Sequence, residues 1–208
     1  MKPDSIILDI DGTLWNSTPI VANAWNEGLS QYPEIDFRYT GEMLTKLFGL
    51  SMTEIADLSL PFLTKEKRYA LMEVFFEKED EALEASDEDL LYPDVADTIR
   101  KLSETYRLYI VSNCQSGYIE VFLKKTGLGP YIMDYECSGH SGRTKGQNIR
   151  LVADRNHLKH PVYVGDIERD HEASKEAGVP FCHAAYGFGE AIDPDYVIRR
   201  FSELLTIF

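Results

Sequence analysis

Apolar residues fall into two patterns along the chain. Short runs without helical spacing occur at Ser5-Ile6-Ile7-Leu8, Leu108-Tyr109-Ile110-Val111 and Val162-Tyr163-Val164, with a weaker one at Pro180-Phe181-Cys182-His183. Brief, β-branched and aromatic, they predict buried strands. Elsewhere apolar positions recur at three- and four-residue intervals. Ile20, Val21, Ala24, Trp25 and Leu29 do so, as do Tyr69, Met72, Phe75, Phe76 and Leu83. Shorter helical candidates lie at 42–48 and 53–60, with breaks at Pro33, Gly49 and Pro61. Helical patterns at 93–102, 117–125, 146–156 and 170–177 alternate with the later strands, the first of them opened by Pro93. Strands alternating with helices imply βαβ units and a doubly wound α/β fold on a parallel sheet. The stretch 17–87 holds no strand-like run and interrupts the first β-to-α connection. It is predicted as an inserted α-helical cap, leaving 1–16 and 88–208 as the core.

The first strand runs straight into Asp9-Ile10-Asp11-Gly12-Thr13. Alternation with period two lets Asp9 and Asp11 project from the same side of the strand end. Two carboxylates that close repel unless a cation lies between them or one is protonated, and either outcome suits phosphate chemistry. Gly12 lets the backbone turn sharply towards a ligand, while Thr13 offers a hydroxyl and an amide to anionic oxygens. The plain alternative is an acidic turn with Gly12 as punctuation.

Further candidates lie at later strand ends and helix starts. Ser112 and Asn113 follow the strand at 108–111, where the ligand crevice of a parallel sheet opens, although the pair equally describes a helix cap. Lys145, ahead of the helical stretch at 146–156, can bring an ammonium towards the acids, with Arg143 a competing cation. In Gly165-Asp166-Ile167-Glu168-Arg169-Asp170, Asp166 can ligate a hard cation shared with Asp9. Asp170 can reach Lys145 or a metal-bound water, or serve simply as an N-cap. Glu168 is expected to be solvated.

In this order and context the pieces resemble the haloacid dehalogenase superfamily, whose members are mostly phosphatases. The resemblance spans the whole chain in outline and implies a Rossmann-like core with a small helical cap. It implies that Asp9 attacks phosphorus and that Asp11 acts as general acid and base. Lys145 matches the family lysine and is favoured over Arg143. Gly12, Thr13, Ser112, Asn113 and Lys145 would bind the substrate phosphate. The implied cofactor is Mg²⁺, with Asp9, Asp11 (through its backbone carbonyl), Asp166 and Asp170 as metal residues. The phosphoglycolate phosphatase-like branch is the most similar. The expected activity is therefore Mg²⁺-dependent hydrolysis of a small phosphate monoester through an aspartyl-phosphate. A phosphosugar mutase of the β-phosphoglucomutase type would use the same residues. A non-catalytic regulator would need a broken site, whereas every piece is present.

Two departures stand out. Many relatives read D-x-D-G-T-L-x-D-S, and here Trp15 and Asn16 replace the usual small or aliphatic residue and the last Asp. Asn16 loses a charge beside the cap hinge, and Trp15 brings a large ring there. Residues 49–54 resemble the specificity loop of cap-bearing relatives, or are a glycine break with Ser51 as N-cap. Arg38, Lys46, Lys65, Lys67 and Arg68 are better taken as solvated charges than as anion contacts. Cys137 and His140 have zinc-like spacing but no second pair. Tyr186-Gly187-Phe188-Gly189 lacks the strand-glycine-helix context of a dinucleotide site and is expected to border the active site.

Composition narrows the setting. The 208 residues carry a net charge of −14, which argues against nucleic-acid and anionic-membrane partners. An anionic substrate must be met by local cations and a metal rather than by the global field. Three widely spaced cysteines and the lack of a leader-like or membrane-spanning apolar segment suggest a cytoplasmic protein. The partner that the resemblance implies is a small phosphate ester, and a monomer or homodimer is expected.

Overall fold

In the computed structural model, which describes residues 2–208, the chain opens with β1 (Ser5–Leu8). Four helices follow: α1 (Thr18–Leu29), α2 (Gly41–Thr45), α3 (Met52–Ser59) and α4 (Lys65–Ala85). Helices and strands then alternate through α5 (Val95–Ser103), β2 (Arg107–Ser112), α6 (Tyr118–Thr126) and β3 (Ile132–Cys137). The chain continues through α7 (Ser138–Ser141), α8 (Lys145–Arg155), β4 (Pro161–Gly165) and α9 (Glu168–Ala177). It ends with β5 (Phe181–Ala184), β6 (Tyr196–Ile198) and α10 (Leu204–Ile207). Two compact units result, one of the chain up to Asn16 with Leu90–Phe208, the other of Ser17–Asp89.

In the first unit all six strands pair in parallel, in the order β3-β2-β1-β4-β5-β6. This is the Rossmann-like α/β arrangement, and its ligand crevice lies at the carboxyl ends of the strands beside the reversal of strand order. Register sets Ile7 between Tyr109 and Tyr163, and Tyr163 beside Phe181. That row is buried together with Ile149 and Val152 of α8 and Ala173 and Ala177 of α9. Each large apolar side chain removed from water in this way stabilises the fold by about 1.5–3 kcal/mol. Because side chains alternate along a strand, Asp9, two residues beyond Ile7, falls on the α8/α9 side of the sheet.

Several boundaries differ from expectation. β3 and β6 lie outside the expected strands. β3 reads Ile132-Met133-Asp134-Tyr135-Glu136-Cys137, and its two acids break the apolar run. Helix α5 begins at Val95 rather than Pro93, because Asp94 adopts a left-handed φ of 68° and holds the proline outside the helix. Helix α9 begins at Glu168, so Asp170 is its third residue rather than its N-cap, and from there its Oδ2 accepts from the amide of the N-cap Ile167. Lys145 is likewise the first residue of α8, whose N-cap is Thr144.

The second unit is helical throughout its regular elements. Trp25 of α1 stacks on Phe75 of α4 at 5.2 Å and meets Tyr39 edge-on at 5.0 Å. Its Nε1 donates to Glu79 Oε2 at 2.7 Å, which places a buried acid on a helix face expected to be apolar. Ser51 caps α3 in a capping box with Glu54. Among the described residues no helix is long and apolar enough to cross a membrane.

Candidate active site

Strand ends and the helix starts beside them deliver four charged side chains to one buried cluster. Asp9 extends β1, with its amide held by Val164 O of β4 at 2.9 Å. Lys145, at the start of α8, donates from Nζ to Asp9 Oδ2 at 3.0 Å and to Asp170 Oδ1 at 2.7 Å. Carboxylate oxygens of Asp9, Asp166 and Asp170 all lie within 4.8 Å of one another. None of the four residues is more than 6% exposed.

Glycines let this cluster close up. A Cβ on Gly12 would meet Asp166 Oδ2, and one on Gly187 would meet Gly12 O and Asp166 Cβ, each well inside contact distance. Gly12 also has a φ of 80°, so both space and backbone conformation demand glycine there. The loop at 186–189 borders the cluster: Phe188 N donates to Asp166 Oδ2 at 2.7 Å, and Tyr186 Oη donates to Thr13 O at 2.7 Å.

The four side chains are not equally satisfied. Asp170 accepts from Lys145 Nζ and, at 3.5 Å, from Tyr163 Oη on Oδ1, and from the amides of Asp166 and Ile167 on Oδ2. Four donors fill the lone pairs of an ionised carboxylate. Asp9 is the opposite case, because its Oδ1 is buried without a hydrogen-bond partner. A buried polar atom left unpaired costs roughly 1–3 kcal/mol. Three carboxylates against one ammonium also leave two negative charges, the deficit that one divalent cation fills.

Titration follows the same imbalance. Burial pushes the Asp9 carboxyl up to about 7; Lys145 pulls against that rise, and the Asp170 charge adds to it. Burial, then the charges of Asp170 and Asp9, push Asp166 well above the carboxylate range. Burial pulls Lys145 down, but Asp170 and Asp9 outweigh it and hold the ammonium charged. Crowded acids of this kind fit a hard cation bound through oxygen, and Asp9 and Asp166 have the capacity to spare for it.

Asp11 is held by two aromatic donors. Its Oδ1 accepts from Trp15 Nε1 at 2.9 Å and from Tyr118 Oη at 2.8 Å. Thr13 is fully buried with no partner for its hydroxyl. Ser112 is buried at the end of β2, and Asn113 Oδ1 accepts from Ser138 Oγ at 2.7 Å, tying this loop to α7. Arg143 is exposed and outside the cluster. Glu168 is half-buried rather than solvated, its Oε2 accepting from Ile192 N at 2.6 Å. Arg38 donates to backbone carbonyls, Lys46 pairs with Glu42 and Arg68 with Asp57.

The hydrogen bonds made by Tyr118 and Tyr163 have no signal in the sequence. Each tyrosine reads as an ordinary apolar-patterned residue, and only the fold turns its hydroxyl towards an acid.

The family model of haloacid dehalogenase-like hydrolases matches residues 6–184, which include every residue of the cluster. The chain belongs to this family. Among its relatives, the phosphoglycolate phosphatase of Synechococcus elongatus is 28% identical over 97% of this chain and 95% of that protein. The phosphoglycolate phosphatase of Mannheimia succiniciproducens is 25% identical over 96% and 95% respectively. The fold is shared with a haloacid dehalogenase-like family hydrolase from Streptococcus pneumoniae, at a TM-score of 0.85 and 19% identity, covering 99% of this chain and 98% of that one. It is also shared with CbbY of Rhodobacter sphaeroides, solved with xylulose-(1,5)bisphosphate, at a TM-score of 0.83 and 17% identity over 98% and 96%. In this haloacid dehalogenase-like hydrolase, the cluster stands at the carboxyl ends of the central strands, where an α/β sheet places its chemistry.

Proposed function

We propose that this hydrolase removes phosphate from a small phosphomonoester through an aspartyl-phosphate on Asp9, with Mg²⁺ as cofactor. The observation that carries the reading is the unpaired Oδ1 of Asp9 inside a buried cluster that holds two uncompensated negative charges. Asp9, Asp166 and the backbone carbonyl of Asp11 would hold Mg²⁺, which supplies charge neutralisation to two anions that must approach one another.

The chain's own residues divide the remaining work. Lys145 fixes Asp9 Oδ2 and offsets charge beside it, and Asp170 holds Lys145. This saturated carboxylate is better suited to placing the ammonium than to taking a metal. Asp9 attacks phosphorus in line and the alkoxide leaves. Asp11 gives that alkoxide a proton, then takes one from the water that hydrolyses the intermediate. Thr13, Ser112 and Asn113, with the Gly12 backbone, are the neutral groups that line the phosphoryl oxygens. The relatives' names favour phosphoglycolate-like esters, and the Ser17–Asp89 unit is the candidate cap that selects among them.

A phosphate-release screen over organic phosphates, run with Mg²⁺ and with excess chelator, tests the reading. Release that needs the cation is expected. Full activity in chelator, or no release from any ester, would overturn it.

A further inference from the structure

We propose that Trp15 and Tyr118 are positioning residues for Asp11, clamping the carboxyl in the orientation from which it moves its proton. The inference rests on the role proposed above for Asp11 and deepens it.

Both donors reach the same oxygen, Oδ1, from opposite parts of the fold. Trp15 lies four residues downstream of Asp11, and Tyr118 is more than a hundred residues away at the start of α6. Two bonds converging on one oxygen fix the carboxyl plane, and with it the direction in which the acid presents its other oxygen.

Neither donor is itself free to wander. Trp15 is 0% and Tyr118 1% exposed. Their rings meet edge-on at 5.8 Å, and Trp15 meets Phe122 edge-on at 4.9 Å. Trp15 O accepts from Gly12 N at 3.0 Å, so the ring and the turn it braces are one unit. The large ring at position 15 thus serves the acid. Phe122 and Tyr118 both belong to α6, which follows the Ser112-Asn113 loop, so one helix orients the acid beside the proposed phosphate-binding strand end. An Asp side chain on a loop otherwise turns about two torsions, and a proton donor out of line by about 1 Å loses roughly 10²-fold in rate.

A purely packing role would make the same contacts, with Asp11 merely satisfying two buried donors. The variants Tyr118→Phe and Trp15→Phe separate the two roles, since each keeps an aromatic ring and removes the donor. The full chain with Mg²⁺ is assayed on phosphoglycolate and on nitrophenyl phosphate, with Asp11→Asn beside them. Tyr118→Phe is expected to lose roughly 10- to 100-fold in kcat on the alkyl ester at unchanged KM. It should lose under about threefold in the first release of nitrophenolate, which needs little protonation to depart. Trp15→Phe should show the same bias, and adding Tyr118→Phe to Asp11→Asn should cost little more.

A second readout is independent of turnover. The indole N–H resonance of Trp15, assigned by its loss in Trp15→Phe, should move in Asp11→Asn. Equal losses on both esters by the aromatic variants, or none, while Asp11→Asn still discriminates between leaving groups, would overturn the clamp and leave the acid in place. If Asp11→Asn itself failed to discriminate, the proposed role of Asp11 would fall and the clamp with it.

Discussion

On the edge strand β3, Arg155 gathers two acids. Its Nε and Nη2 donate to the two oxygens of Asp134 at 2.6 and 2.8 Å, and its Nη1 donates to Glu136 at 2.8 Å. At the carboxyl ends of β1 and β4, Lys145 faces Asp9 and Asp170, with Asp166 beside them. The two groups contain the same kinds of charge, yet their acids move in opposite directions. Burial pushes Asp134 and Glu136 up, but hydrogen bonds from Arg155, with Asn156 on Asp134 and His140 on Glu136, outweigh it and hold both below the usual range. Burial wins at Asp9 and Asp166. The difference lies in the supply of donors. A five-donor guanidinium at a partly exposed edge satisfies its acids, whereas one buried ammonium that pairs with two of three clustered carboxylates leaves Asp9 Oδ1 unpaired. A satisfied cluster staples a strand to a helix. An unsatisfied one stores the electrostatic demand that a cation and a phosphoryl group can meet.

Substitution in each cluster should therefore strike different properties. The largest effect is expected from Asp9→Asn, which removes the nucleophile and an anionic ligand together. Turnover should fall by roughly 10⁴-fold or more in a phosphate-release assay. Near-normal turnover would erase the contrast between the clusters.

Next in size is Arg155→Ala, which leaves Glu136 buried with His140 as its side-chain partner. Stability should drop by roughly 1–3 kcal/mol. At about 2–4 °C per kcal/mol for a chain of this length, a thermal melt resolves it. The kcat of the folded variant should stay within about twofold of the parent, since Arg155 lies at the opposite end of α8 from Lys145 and pairs with none of the proposed catalytic groups.

The smallest and most diagnostic effect is on pH dependence in excess chelator. Folded Asp9 holds its proton up to about pH 7, whereas its ordinary value is 3.8. Between those values the folded state binds more protons, so this group's contribution to stability falls as pH rises. Asp9→Asn removes that loss. Its melting temperature should exceed the parent's by a few degrees at pH 8, and the gap should close towards pH 4. For Asp134 and Glu136 the sign is reversed. Their depressed values give stability above about pH 4 that is lost on acidification, so the deficit of Arg155→Ala should shrink as pH falls. Parallel pH curves for the two variants would show that the clusters do not differ in kind.

How much of this was legible in the sequence follows from the range of the interactions. β1, β2 and β4 announce themselves, because central parallel strands need apolar residues throughout and their acids cluster just past the ends. Asp9, Lys145, Asp166 and Asp170 converge for the same reason: parallel strands present all their carboxyl ends on one edge. β3 was hidden because Asp134 and Glu136 interrupt its apolar run, and the Arg155 that neutralises them comes from a helix about twenty residues on. β6 has only three residues, too few for a pattern. Asp170 was equally readable as a cap until the start of α9 placed it in the first turn, aimed at Lys145. Trp15 was visible as a departure from the family pattern, but its bond to Asp11 depends on the turn at Gly12 and on Tyr118 arriving from α6.

In the proposed reaction Asp9 carries the phosphoryl group between two half-reactions. The direct measurement is to mix the Asp11→Asn variant with nitrophenyl phosphate and Mg²⁺, quench in acid, and map the modified peptide by mass spectrometry. A stoichiometric burst of nitrophenolate is expected, with slow turnover afterwards and one phosphoryl group on the peptide containing Asp9. A burst-free trace with an unmodified Asp9 peptide would contradict it.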